Sequence, residues 1–368
     1  MQPRNTGEKS LLGNEHILLL DGVRGIAILM VLAYHFMPVA GIGWVGVSLF
    51  FVLSGFLISW RLEQSIESDH YFRHFYIRRI LRIVPLYMVV LVVLLILVPL
   101  LLPVFVTSSY AELLGLQGWY WTFTQNLYNA RHGWPDNITV VHFWSLAVEM
   151  QFYLLWPFVM RLFNKRPRLF IGFLLSLMIC ALLFRVYGGD IFKLNDLYRY
   201  VLLPSRIDSF AAGCLLLVLL NCYKEKCRSF FLWIWIICLA MAMIIYSFFA
   251  TVSYMGAFSQ TAGHTLHVLF WTALLGYLML LPAGAFGARI FSGRFLVAMG
   301  KYSYGMYVVH LPVWIVMTTL LQQRYGQPWH SMPGAVFYLP LVAFAITWLL
   351  GVLSYHCLEK YFLRIKLR

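Results

Sequence analysis

An all-α polytopic membrane protein of about ten transmembrane helices, with both termini cytoplasmic, is predicted by three observations. The 368-residue chain is 61% apolar and only 11% charged, where a soluble domain averages roughly 25% charged residues. Its apolar residues come in runs of about 20, long enough for a helix to cross a hydrocarbon core of roughly 30 Å. Its basic residues alternate, crowded in every second connection and sparse in the others.

Hydropathy windows of about 19 residues place spans near 17–38, 42–62, 83–106, 140–162, 169–187, 203–222, 229–251, 263–283, 303–321 and 335–357. A polar stretch, residues 1–16, precedes the first span; no small-residue cleavage site follows that span, so no removable signal peptide is expected. The membrane domain then covers 17–362, and 363–368 form a basic cytoplasmic tail. With the N-terminus inside, the even-numbered connections and the tails hold 21 of the 28 Lys and Arg residues, as the positive-inside rule requires. That distribution absorbs most of the net charge of +14 and leaves no call on nucleic acid as a partner. Six cysteines lack C-x-x-C spacing, which suggests neither a metal knuckle nor a disulfide framework.

The first span, ILLLDGVRGIAILMVLAYHFM, carries Arg24 and His35. Ionisable groups inside a membrane are costly and mark functional paths by default. Eleven residues separate the pair by about 16 Å along a helix, so they are two stations rather than one ion pair. The plainer alternative pairs Arg24 with Asp21 and lets His35 snorkel. The connection after the second span carries Arg78, Arg79 and Arg82 within YFRHFYIRRILRIVPLY; Arg78 and Arg82 share a helix face. Such a cluster suits anionic lipid heads or a phosphorylated ligand. The long outer connection, 107–139, is rich in Trp, Tyr and Asn, which suits either interfacial anchoring or stacking on sugars.

The fourth span places Glu149 and Gln151 among apolar residues, with His142, Trp144 and Ser145 toward its outer end. Glu149 and His35 both fall in the outer half, where a carboxylate beside an imidazole makes a usable general base; the sequence leaves open whether His35 deprotonates an acceptor hydroxyl or carries an acyl group transiently. The competing partner for Glu149 is Arg206, at the outer start of span six. Trp144, Ser145 and Arg206 are the candidate acceptor-binding residues. His310, in the ninth span, reads as a structural group, because Pro312 beyond it frees a backbone carbonyl in need of a donor.

In order, LDGVRGIAILMVLAYH, FFVLSGFLI, FYIRRILRIVPLY, HFWSLAVEMQFYLLWP, RIDSFAAGCL, MGKYSYGMYVVHLP and SYHCLEKYF resemble the integral-membrane acyltransferase family 3, whose members O-acetylate bacterial surface sugars, peptidoglycan and small molecules. The resemblance runs from about Leu20 to Phe362. It implies a bacterial inner-membrane O-acyltransferase that uses an acyl-CoA, most simply acetyl-CoA, and no metal. It implies that Arg24 and His35 are essential for transfer, that Arg79 and Arg82 form the R-x-x-R motif at the donor site, and that Glu149 is the acidic position of the fourth-span motif. The acceptor is expected to be a carbohydrate or lipid-linked glycan. Many members carry an extracytoplasmic SGNH hydrolase-like domain; with this sequence ending at Arg368, the expectation is action alone or hand-over to a separate extracytoplasmic transferase. The alternative function is a transporter or flippase using Arg24, Glu149 and His35 as a relay.

Overall fold

The computed structural model describes residues 14–37, 41, 43–103, 106–223, 227–249, 256–282 and 284–365. Residues 1–13 and 366–368 of the expected tails fall outside these residues, as do Lys224 and Lys226 and the expected span positions 38, 42, 104–105, 250–251 and 283. No strand occurs among the described residues. That follows from the solvent: without water in a bilayer core, a spanning backbone must satisfy its own hydrogen bonds, and a helix does so within one segment.

Ten long helices fall on the ten expected spans. They are α1 (Asn14–Phe36), α2 (Gly46–Ser65), α3 (Tyr71–Leu101), α4 (Trp144–Leu162), α5 (Pro167–Phe192), α6 (Leu203–Tyr223), α7 (Cys227–Phe249), α8 (Ala262–Met279), α9 (Arg294–Tyr325) and α10 (Ala335–Leu363). Seven helices, those containing α1, α2, α3, α5, α6, α9 and α10, are long and apolar enough among the described residues to cross a membrane. The others have visible reasons to fall short. Glu149 and Gln151 lower the apolarity of α4, and His264 and His267 that of α8. Helix α7 is apolar along its length, CRSFFLWIWIICLAMAMIIYSFF, and its fully described part contributes the shorter apolar helix Arg228–Met241. Helices α3 and α10 each contain one turn of π-helix, Val93–Leu97 and Tyr355–Glu359.

The core forms where α1 packs on α9, α2 on α6, and α6 on α5. Glycine sets the first of these contacts. A Cβ at Gly300 of α9 would lie 1.7 Å from the Asp21 carbonyl oxygen, and one at Gly25 of α1 would lie 2.2 Å from that of Leu296. Backbone therefore rests on backbone, the close approach that small residues permit between membrane helices.

The 106–139 connection is ordered. Short helices at Ser108–Gly115, Gln117–Trp121 and Gln125–His132 fold back onto the bundle. Buried Asn126 accepts from Gln151 Nε2 at 2.9 Å and donates to the Val201 carbonyl at 3.2 Å. Gln125 donates to the Phe143 carbonyl at 2.7 Å. Gln151, polar within α4, is thereby satisfied by a loop that enters the bundle to reach it.

Candidate active site

A cavity of about 700 Å³ opens between α1, α2, α3, α4, α9 and the end of α10. Six arginines line it: Arg24, Arg61, Arg78, Arg79, Arg82 and Arg364. Among the described residues, two carboxylates, Asp21 and Glu149, line it with them. Arg61, Arg78 and Arg364 are exposed at the mouth, whereas Arg24, Arg79 and Arg82 are half-buried within. Arg24 faces this space, and its ion pair with Asp21 is long at 3.4 Å. The Arg79 guanidinium lies 5.9 Å from the ring centroids of both Phe75 and Tyr153, and its Nε has no hydrogen-bond partner. An excess of guanidinium over carboxylate, with donors unspent, is a site built for an anion.

At the deep end the walls become neutral. Ser145 Oγ lies 2.5 Å from Tyr307 OH, and Tyr307 donates to the His142 carbonyl at 2.9 Å. Ser303 and Tyr307 of α9 line the cavity, and His310 continues the same helix face at the i, i+4, i+7 spacing. Beyond Tyr307 sit three imidazoles in a row. The His142 and His310 ring centroids are 4.6 Å apart and those of His310 and His35 are 4.8 Å apart. His310 and His142 are buried, while His35, one residue from the end of α1, is partly exposed. On α1, Arg24 and His35 are three turns apart with a residual rotation of roughly 20°, so they share a face. That face turns toward protein at both positions: Arg24 toward the cavity, His35 toward His310.

Several expected contacts are replaced by others. Glu149 does not bond to His35. Its Oε1 accepts from Ser54 at 2.7 Å and from the Tyr153 hydroxyl, while His35 Nδ1 bonds to the Val31 carbonyl at 2.9 Å and to His310 Nε2 at 3.3 Å. The reason is register: Glu149 lies at the level of the arginine cavity, and the imidazoles lie beyond it. The competing pairing of Glu149 with Arg206 is also absent, because Arg206 belongs to a separate buried cluster. Its Nη1 meets His264 Nδ1 at 2.5 Å and its Nε donates to the Tyr200 carbonyl at 2.8 Å; its guanidinium sits 4.5 Å from the Tyr200 ring centroid. In the same cluster Asp208 pairs with Arg185 at 2.8 Å and with His264 at 3.2 Å. Of the candidate acceptor residues, Ser145 lines the cavity, and buried Trp144 packs between Phe51 and Tyr200 beside Arg206. Arg78, Arg79 and Arg82 all reach the cavity although Arg79 points to a different side of α3.

The carbonyl freed by Pro312 is that of Val308, four residues back, and His142 supplies its donor at 3.2 Å. His310 instead donates to the Tyr307 carbonyl at 2.6 Å. Sequence reasoning therefore missed the association of His35 with His310 and His142, and the roles of Tyr307, Arg61 and Arg364 in lining the cavity. Two signals pointed that way: the shared face of Ser303, Tyr307 and His310, and the four-residue offset from Pro312 to the orphaned carbonyl. Among the described residues, no group of His, Cys, Asp and Glu has a metal-holding arrangement.

Together, an apolar helical bundle and an arginine-lined internal cavity abutting buried imidazoles define an integral-membrane protein equipped to admit an anionic ligand. A family profile described as an acyltransferase domain matches residues 17–352, and the chain belongs to that acyltransferase family. It is 26% identical to the peptidoglycan O-acetyltransferase OatA of Listeria monocytogenes, over 94% of this chain and 55% of that protein. It is 28% identical to the O-acetyltransferase OatA of Staphylococcus aureus, over 92% and 56% of the respective chains. The candidate peptidoglycan O-acetyltransferase YrhL of Bacillus subtilis is 29% identical over 93% of this chain and 54% of its own length. The chain thus spans about half the length of these relatives. No solved structure matches it.

Proposed function

We propose that the protein is a membrane O-acetyltransferase of the bacterial inner membrane. It takes acetyl-CoA from the cytoplasm and acetylates a hydroxyl of a carbohydrate or lipid-linked glycan at the outer face, directly or through a separate extracytoplasmic transferase. The observation that carries this reading is the cavity of six arginines against two carboxylates in a chain of the acyltransferase family. CoA carries about four negative charges, half on its phosphate monoester and half on its diphosphate. Arg78, Arg79 and Arg82 hold those phosphates, with the exposed arginines at the mouth drawing the donor in. Arg24 lies deeper along the path, and the slender, neutral pantetheine arm runs past Tyr307 toward the imidazoles. The names of the relatives support acetyl as the acyl group and peptidoglycan-type sugars as the acceptor class.

His35 is the base. Its Nε2 takes the proton of the acceptor hydroxyl as the oxygen forms an ester bond to the acetyl carbon. The carbon–sulfur bond breaks, and the proton passes from His35 to the leaving thiolate. Arg24, about 16 Å away along α1, cannot share that step and acts on the donor. Trp144 and Ser145 border the acceptor side, and Arg206 supports the Tyr200 and Trp144 rings from behind. Glu149 acts through Tyr153 beneath Arg79, on the donor side. Membrane lipid surrounds the bundle. The comparisons lend no support to the transporter alternative.

The test is release of free CoA from acetyl-CoA by purified protein in vesicles supplied with solubilised peptidoglycan fragments. Acceptor-dependent thiol release that is lost in His35→Ala supports the reading. Acetyl transfer unaffected by His35→Ala overturns it, since general-base assistance is typically worth about 10²–10⁴ in rate.

A further inference from the structure

We infer that His310 is a positioning residue that, together with the Val31 carbonyl, fixes the tautomer of His35, and that the acceptor's proton is received by a linked pair of imidazoles rather than by an isolated one. This rests on the reading of His35 as the base. The argument is a proton count. A carbonyl oxygen only accepts hydrogen bonds, so the 2.6 Å contact to the Tyr307 carbonyl requires the hydrogen of His310 to be on Nδ1. Neutral His310 then has a lone pair at Nε2, and that atom faces His35 Nδ1 at 3.3 Å.

The Val31 carbonyl, at 2.9 Å from His35 Nδ1, makes the same demand. Two acceptors therefore call for a hydrogen on His35 Nδ1, and the lone pair is left on Nε2. The opposite tautomer would set lone pair against lone pair and strand both acceptors. The same contact serves the charged state. When His35 takes a proton at Nε2, its Nδ1–H becomes a charged and stronger hydrogen-bond donor, which the Val31 carbonyl and His310 Nε2 share as acceptors. Among the described residues no carboxylate bonds to either ring; Glu149 Oε1 accepts instead from Ser54 and Tyr153.

The surroundings hold His310 rigid. It is fully buried, and His142 packs across it in a T-shaped contact at 4.6 Å. His142 is itself anchored through Nε2 to the Val308 carbonyl that Pro312 leaves without an amide donor. Tyr307, at 5.5 Å ring to ring, links this group to the lining of the cavity. His35 alone of the three is partly exposed and able to meet an acceptor.

The experiment compares His310→Leu with His310→Gln, whose side-chain carbonyl retains an acceptor for His35 Nδ1–H, in full-length protein. Two readouts are taken: acetyl-CoA turnover with solubilised peptidoglycan fragments, and ¹⁵N spectra of histidine-labelled protein with His35 assigned by its own substitution. Wild type is expected to show the pyridine-type nitrogen of His35 at Nε2. His310→Leu, with the Val31 carbonyl as the one remaining acceptor for Nδ1–H, is expected to weaken that preference without reversing it and to lower kcat about 10²-fold or more with KM for acetyl-CoA unchanged, while His310→Gln stays within about tenfold of wild type. A wild-type His35 with its lone pair on Nδ1, or a His310→Leu protein with unaltered kcat, overturns the inference. If His35→Ala is itself fully active, the base reading has failed instead. Should either His310 variant fail to fold, the wild-type ¹⁵N spectrum still decides: a coupling across the hydrogen bond between His35 Nδ1 and His310 Nε2 supports the inference, and its absence overturns it.

Discussion

Arg79→Ala should weaken binding of CoA far more than Arg78→Ala, although the two residues are adjacent. Arg79 is half-buried, lies over Phe75 and Tyr153, and has an unpartnered Nε. A hydrogen bond to a charged group contributes about 1.5–3 kcal/mol. Loss of a two-pronged guanidinium contact, at the low end for each prong, is then about 3 kcal/mol, or roughly 150-fold in Kd. Arg78 is exposed at the mouth, where an ion pair is typically worth about 0.2–1 kcal/mol, at most roughly fivefold. Arg79→Lys keeps the charge but loses the fork and should fall between the two. Titration calorimetry of CoA into detergent-solubilised protein, repeated at higher salt, measures all three. Salt should erode the Arg78 contribution more than that of Arg79, because buried pairs are less screened. Equal losses from the two alanine variants, or an unchanged Kd for Arg79→Ala, would refute the assignment of the cavity interior to the donor phosphates.

Further outcomes follow from particular contacts. Glu149→Gln should alter KM for acetyl-CoA with kcat within about tenfold of wild type, since Glu149 holds Ser54 and Tyr153; a collapse of kcat alone in steady-state assays would restore the direct link to His35. Gly300→Val should separate α1 from α9, because even a Cβ there meets the Asp21 carbonyl at 1.7 Å; a cost of about 1–3 kcal/mol or more should appear as a lower melting temperature. Gly118→Ala, with nothing within 4 Å, should leave the melting temperature unchanged. Asp208→Asn should destabilise the fold by about 3–5 kcal/mol, because it strands Arg185 in a pair that is at most 1% exposed. Replacing Arg185 and Asp208 together by Leu and Met should recover part of that loss in a thermal-unfolding assay.

The helices were legible because hydropathy and length mark an apolar helix: a helix lies on each of the ten expected spans, and seven among the described residues are long and apolar enough to cross a membrane. The arginine cavity was partly legible. Arg24, Arg79 and Arg82 stood out as charges in or beside apolar runs, while Arg61 and Arg364 looked like ordinary inner-face basics; only the folding of α10 against α3 brings Arg364 in. The pairing of Glu149 with His35 was inferred from depth alone. Depth estimated from span ends carries an error of several residues, enough to exchange one imidazole level for the arginine level below it. The donor to the carbonyl freed by Pro312 was misjudged for a related reason. A proline announces an orphaned carbonyl, but a one-dimensional reading favours the nearest histidine, whereas the structure brings His142 from 166 residues away. The Arg185–Asp208–His264–Arg206 cluster required three helices to converge, and no local spacing encodes that.

Sidedness offers the most direct trial of the central claim. Protein would be reconstituted in a single orientation, with acetyl-CoA confined to the face bearing Arg61 and Arg78 and solubilised peptidoglycan fragments confined to the other. Acetylated fragments are expected in this arrangement and not when donor and fragments exchange sides. Equal product from both arrangements, or product only when both reactants share a side, would contradict a path running from the arginine cavity past Tyr307 to His35.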